Sequence, residues 1–334
     1  MADLAPWLQS QLDTLRHHRA HALLLSGASG MGQFDLAFAL ARLWLCESPT
    51  PQGACGVCAS CHAVDVHAHA DLSVLMPETV ALAQAWPLSP AAQDAIDKKE
   101  RKPSKWIRVD AARDAIAFAQ LTTARSATKV ILVYPAERMN VETANTLLKT
   151  LEEPPGDLRF VLATEAAHQL LPTIRSRCQV HHMAWPDESA VHAWLAEHSG
   201  DAAAGDRRAW WLAAGGHAHA ALDWAAQGLT ARQWHALPKD IASGRADTMA
   251  EWGAAQQNQV LLQVAHDAMA LAAGAAPRFF DPQDLPPPPA WRTLEAWQQR
   301  LLQRAKTAEH PFNPGLLQEA WLSDAQAVLS SGRV

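Results

Sequence analysis

The 334-residue chain has one tyrosine, no excess of basic residues and no long apolar run. Its net charge of −6 excludes broad, non-specific attraction to nucleic acid and leaves room only for a focal contact. No stretch approaches the roughly 18 consecutive apolar residues of a membrane span. The opening MADLAPWLQS has neither a basic n-region nor an apolar core, so a cytoplasmic chain without membrane contact is expected. Cysteines are few: there are five, four of them between Cys46 and Cys61. In a reducing compartment such clustering argues for metal ligation and against disulfides. No internal repeat of fixed period is visible.

Apolar residues at 49% and charged residues at 19% suit a globular chain, and the length suits two or three domains. HALLLSG (21–27) is an apolar run entering glycines, and FDLAFALARLWLCE (34–47) repeats apolar residues at helical spacing. That is strand, loop and helix. Further apolar runs at 71–77, 130–135, 159–164 and 178–183 alternate with helical stretches at 108–123, 140–152 and 166–171. This alternation predicts a doubly wound parallel sheet over the first 185 residues or so. The segment 77–106 mixes prolines with a charge run, has no clean period and reads as a surface insertion of no legible role. After AWPDE (184–188) no strand signal returns, and the rest reads as all-helical. A division near SGRAD (243–247) is expected to part a small helical domain, 186–245, from a C-terminal one, 246–334.

The stretch SGASGMGQF (26–34) has the frame of a phosphate-binding loop in Gly27, Gly30 and Gly32. A working loop cradles phosphate with backbone amides, places a lysine on the β and γ oxygens and holds Mg²⁺ with a hydroxyl. Gln33 and Phe34 stand at those two positions, so charge and metal ligand are both missing. On the partner strand, Pro135 occupies the position of the metal-binding aspartate, and Glu137 sits two residues later. Phosphoryl transfer depends on these groups, so no ATP hydrolysis in cis is expected. A plain glycine-rich strand-to-helix turn is the alternative reading of the loop by itself.

Cys46, Cys55, Cys58 and Cys61 give C-x8-C-x2-C-x2-C. Four thiolates at about 2.3 Å satisfy tetrahedral Zn²⁺ and leave no open position, so a structural ion is expected. His62, His67 and His69 lie close enough in sequence to replace one ligand. Cys178 reads as a buried small residue. The fourteen tryptophans, Trp210 and Trp211 among them, read as core or interface anchors, and Lys149 as a solvated lysine or a phosphate contact.

ANTLLKTLEEPP (144–155), followed by RFVLATEAAHQLLPTIRSRC (159–178), completes a specific combination with the cysteine cluster behind the loop helix. Over residues 5–185 the sequence resembles the delta prime family of subunits of the bacterial DNA polymerase III clamp loader, a branch of the AAA+ proteins. The resemblance is weaker beyond, where HPFNPGLLQEAWL (310–322) is similar to the collar of such subunits. It implies a RecA-like AAA+ domain with a zinc-binding insertion, an all-α lid and an all-α collar. It implies partnership with delta and gamma or tau subunits in a five-membered ring that loads the sliding clamp on primed DNA. Ser176, Arg177 and Cys178 would form the motif that offers Arg177 as an arginine finger to a neighbour's ATP, and Thr164 falls at the family's ATP-sensing position. A guanidinium is always charged and can fork onto phosphate oxygens. The alternatives are an active P-loop ATPase or nucleotide kinase, which would want lysine in place of Gln33 and serine or threonine in place of Phe34, and a free-standing zinc-dependent nucleic-acid binder, which would want a basic surface.

Overall fold

The computed structural model describes residues 4–18, 20–245, 247–307 and 314–333. The described chain forms two compact units, Met1–Ala190 and Val191–Val334. In the first, α1 (Pro6–Leu15) precedes β1 (Ala22–Ser26), α2 (Gln33–Leu45) and α3 (Ala59–Asp65), then β2 (Leu72–Leu75). Two short helices, α4 (Glu78–Ala83) and α5 (Pro90–Asp97), arise inside the segment that showed no period, and α6 (Val109–Gln120) follows. Then come β3 (Lys129–Val133), α7 (Val141–Glu152), β4 (Leu158–Thr164), α8 (Pro172–Arg175) and β5 (Gln179–His182).

The strands make one parallel sheet in the order β2-β3-β4-β1-β5. Strands covered on both faces read as unbroken apolar runs, and β1 and β3 are Ala-Leu-Leu-Leu and Val-Ile-Leu-Val at their buried cores. Leu24 lies opposite Leu162 on one side and Val180 on the other, one strand in from the β5 edge of the sheet. Helix α2 packs on β3 and β4, while α6 and α7 pair with each other and bury Ala115 and Leu147 in a core shared with Leu24, Ile131 and Phe160. This brings the C-terminal ends of β1, β3 and β4 to one rim of the sheet, where ligands bind in such folds.

The helical stretch expected at 166–171 is a 3-10 turn at Ala167–Gln169, and the helix begins only at Pro172. Proline at the first helical position fixes φ and lacks the N–H that would join an earlier turn, so it starts α8 and does not continue one.

Asp71, fully buried just before β2, ties the turn ahead of β3: it accepts amide hydrogen bonds from Ala124, Arg125 and Ser126 at 2.8, 2.9 and 2.9 Å. Burial works to raise this carboxyl, but the three amides outweigh it and hold it below the usual carboxylate range. A depressed folded value means the stabilisation is present above the unfolded value near 4 and is lost as pH falls through the folded one. Asp71→Ala leaves three amides without their acceptor and is expected to cost roughly 3 kcal/mol, read as a lower urea midpoint at unchanged slope. An unchanged midpoint would show that water replaces the carboxylate at no cost.

The second unit has helices and no strand among its described residues: α9 (Glu188–His198), α10 (Ala204–Ala213), α11 (Ala218–Ala226), α12 (Ala231–Ala242), α13 (Ala254–Ala272), α14 (Trp291–Thr307) and α15 (Pro314–Ser330). Trp234 and Trp297 are fully buried, and Trp234 stacks on Phe280 at 4.5 Å. Trp210 is buried and donates its indole N–H to the Leu229 carbonyl, as core anchors do. Asp267 repeats the device of Asp71, accepting amides from Arg278, Phe279 and Phe280. The division expected near 243–247 includes Ala246, and the HPFNPGLLQEAWL stretch includes 310–313; these lie outside the described residues.

Candidate functional site

Residues 27–32 join β1 to α2 at the sheet's C-terminal rim. Gly30 and Gly32 take left-handed backbone, with φ of 77° and 83°. A Cβ on Gly32 would approach Leu8 Cδ1 to 2.7 Å, so this glycine is required by the fold whatever the loop binds. In a competent loop the amides face an open cradle. Here the cradle is filled from within: the Ala28 amide donates to Met31 Sδ at 3.2 Å, and the buried Gln33 side chain donates back to the Ala28 carbonyl. A Cβ on Gly27 would meet Met31 Sδ at 3.1 Å and the Gln33 amide nitrogen at 3.4 Å, which measures how closely these side chains crowd the turn.

Phe34, where a hydroxyl would hold Mg²⁺, lies in an aromatic cluster. Its ring centroid is 5.3 Å from Tyr134 and 5.9 Å from Phe38. Trp86 stands edge-on to Phe34 and Phe38 at 6.4 and 5.7 Å, and His67 stacks on Trp86 at 3.9 Å. Trp86 comes from the 77–106 segment, so one function of that segment is to cover the N-terminal turns of α2. At the end of β3, past Pro135, Glu137 accepts the Thr164 hydroxyl at 2.6 Å and the Glu165 amide at 3.3 Å. Tyr134 donates to Glu165 at 3.2 Å, and burial, followed by Glu165, pushes its phenol far above the ordinary value. The polar side chains at the ends of β3 and β4 therefore satisfy one another.

The thiols of Cys46, Cys55, Cys58 and Cys61 lie within 4.8 Å of one another, with Cys46 to Cys58 and Cys55 to Cys61 each at 4.0 Å. Tetrahedral bonds of about 2.3 Å set ligand sulfurs about 3.8 Å apart, so the four fit a metal ion of that radius. The Cys55 amide donates to Cys46 Sγ at 3.2 Å and the Cys61 amide to Cys58 Sγ at 3.3 Å, the bonds that stabilise thiolate. Burial opposes ionisation of Cys58, but the amides of Cys61 and Glu47 and the adjoining thiols draw it down to about 6. Burial pushes Cys61 well up. His67 is stacked away on Trp86, and His69 accepts the Asp71 amide at 3.0 Å, so neither joins the sulfurs. Cys178 is buried, and that burial raises its thiol to about 12.

Arg177 lies two residues beyond α8. Its Nε donates to Glu152 Oε1 at 2.7 Å, one terminal nitrogen donates to the same oxygen, and the other reaches the Thr173 carbonyl at 2.8 Å and Ser176 Oγ at 3.4 Å. The arginine thus both caps α8 and pairs with the last residue of α7, with its side chain partly exposed. Arg175 and Lys149 are exposed. Sequence reasoning passed over Met31, Trp86 and Glu152, and weighed His67 only as a spare metal ligand. Glu152 and Met31 lay within quoted motifs without being singled out, and Trp86 carries no spacing that marks it.

Residues 4–187 match the family described as DNA polymerase III, delta subunit. The chain belongs to this family. Among curated relatives, DNA polymerase III subunit delta' of Pseudomonas aeruginosa is 39% identical over 198 residues, 59% of this chain and 53% of the relative. Subunit delta' of Escherichia coli is 34% identical over 197 residues, 57% and 52% of the two chains. The chain spans about half the length of the curated relatives it matches. A solved gamma subunit-related protein of Thermotoga maritima superposes with a TM-score of 0.48 at 16% identity, covering 96% of this chain and 99% of its own. No described helix is long and apolar enough to cross a membrane.

Proposed function

We propose that the chain is the delta prime subunit of a DNA polymerase III clamp loader, a non-hydrolysing AAA+ member that supplies Arg177 in trans to the ATP of a neighbouring subunit. The observation that carries this reading is the loop closed on itself by Met31 and Gln33, in a chain that keeps a partly exposed arginine just beyond α8. A subunit with its own cradle filled still serves a neighbour's phosphate through a partly exposed guanidinium. Ser176 steadies that guanidinium, and Thr164, bound to Glu137, has no nucleotide to sense.

The wider reading follows. The RecA-like unit carries a structural zinc held by Cys46, Cys55, Cys58 and Cys61. Residues 186–245 form a lid and 246–334 a collar that oligomerises with delta and gamma or tau subunits in a five-membered cytoplasmic ring. The ring opens the sliding clamp and loads it on primed DNA, and the chain is thereby part of a DNA-directed DNA polymerase, a nucleotidyltransferase.

Restoring the two missing side chains tests the closed loop. Gln33→Lys with Phe34→Thr is expected to give a purified chain that still turns over no ATP, because Met31, Pro135 and the Trp86 cluster remain. Turnover above that of the wild-type chain would reduce the silencing to two residues and favour the reading of a recently lapsed ATPase.

A further inference from the structure

The segment 98–108, KKERKPSKWIR, holds six cations and one carboxylate in a chain of net charge −6. Like charges at this density ordinarily keep a loop unfixed. This one is pinned at three points. Buried Glu78, at the start of α4, takes both arms of Arg101 at 2.5 and 2.6 Å and the Ser104 amide at 2.8 Å. Thr79 donates its amide to the Ser104 carbonyl at 3.2 Å, and Ile107 donates to the Arg138 carbonyl at 2.9 Å. Arg101 is thereby turned onto Glu78 and half-buried, while Lys98, Lys99, Lys102 and Lys105 remain exposed. The ion pairs at the borders, Lys98 with Asp94 at 3.6 Å and Arg108 with Asp110 at 3.7 Å, are long and solvent-facing, so they compete weakly for a ligand.

Beside these lysines the Trp106 indole is 50% exposed, with the exposed Arg138 guanidinium 5.8 Å from its ring. Ser104 Oγ donates to the Trp106 carbonyl at 2.7 Å and accepts its amide at 3.1 Å, so the residue is fixed although its ring is not covered. A cleft of about 540 Å³, lined by Trp86, Ser89, Arg101, Trp106, Arg108 and Asp114, opens next to the ring.

We propose that this pinned loop is a docking surface for single-stranded DNA: the lysines meet successive phosphates, and an unstacked base lies on Trp106 at the mouth of the cleft. Cations beside a bare aromatic face are what a strand without sequence preference requires, and a duplex, whose bases are stacked on each other, offers nothing to the indole. That the strand is DNA rests on the preceding reading of the chain as a replication subunit. The surface itself is tested on the purified chain alone, so its failure leaves the role of Arg177 untouched.

The experiment is fluorescence anisotropy of a labelled oligo-deoxythymidine strand of about 20 nucleotides, titrated with the full chain at about 50 and 200 mM salt. Contacts to four phosphates predict an affinity loss of roughly 50-fold across that salt range. The variant with Lys98, Lys99, Lys102 and Lys105 all changed to alanine is expected to bind at least tenfold more weakly with a shallower salt slope. Trp106→Ala is expected to lose about tenfold with the slope unchanged, since stacking carries no counterions. Both variants must keep the wild-type circular dichroism spectrum. Absence of binding at the lower salt, a lysine variant that binds as the wild type does, or equal binding of a poly-glutamate peptide would each overturn the proposal.

Discussion

Cys58→Ser combined with Cys61→Ser is expected to abolish zinc in the purified chain and to lower the melting temperature of the first unit by roughly 10 °C, an effect on the order of 4 kcal/mol. The four thiols converge from the end of α2, the 47–58 loop and the start of α3; the first half of that loop is tied back to the α1 region, where Arg16 donates to the Thr50 and Pro51 carbonyls and Gln9 to the Gln52 carbonyl, and the second half carries Cys55 and Cys58. Gly53 and Gly56 both have positive φ, and Val57 is 88% exposed. Without a metal the cluster would place four sulfurs within 4.8 Å of one another with only Cys61 well covered. The same loop also carries partners of the fold. Glu47 accepts from the Ser60 amide and hydroxyl at 3.2 and 2.8 Å, and outside the loop Arg42 of α2 pairs with Asp65 of α3 at 2.8 Å. Releasing it frees α3 and the base of α2, whereas the sheet core around Leu24, Ile131 and Phe160 is remote from the thiols in the topology and keeps its packing. The measurement is zinc content by elemental analysis beside calorimetry. A wild-type chain that purifies without metal, or a variant with unchanged melting, would return the cysteines to unligated thiols.

Much of the first unit was legible because the physics there is periodic. Strands covered on both faces must be apolar throughout, so β1, β3 and β4 announce themselves, and the glycines between β1 and α2 mark a turn that other residues cannot take. The cysteine spacing was equally direct. Where Pro172 starts a helix, the sequence pattern alone extended helical character too early, because the residues before it are apolar enough for either conformation. Trp86 and Met31 were not legible for a different reason. Filling a cradle or covering a helix turn depends on where a side chain ends up after long-range folding, and neither residue carries a local signal of that. Glu152 belongs to the same class: it meets Arg177 across 25 positions of sequence, and nothing in LEEPP says which carboxylate will do so.

The largest kinetic effect is expected at Arg177. Its fork is held by Glu152 Oε1 and the Thr173 carbonyl, and these partners leave it partly solvated. An exposed ion pair of this kind contributes little to stability, so exchange of a carboxylate for a phosphate carrying more charge is inexpensive. A trans-acting arginine is worth roughly 10³- to 10⁵-fold in hydrolysis at the site it serves. Arg177→Ala should therefore silence one neighbouring site while leaving the fold intact. Arg177→Lys should rescue it poorly, because an ammonium keeps the charge and loses the two-pronged geometry. Glu152→Ala separates positioning from charge: it leaves the guanidinium in place but unsteered, and is expected to act more weakly than either change at Arg177.

The most direct test is ATP turnover by a reconstituted loader with clamp and primed DNA, comparing wild type with Arg177→Ala after both are shown to assemble equally. The account predicts that turnover at the adjoining site falls about 10³-fold or more, with total turnover dropping at least by that site's share. Equal turnover in the two assemblies would contradict it and leave the chain a scaffold whose arginine only caps a helix.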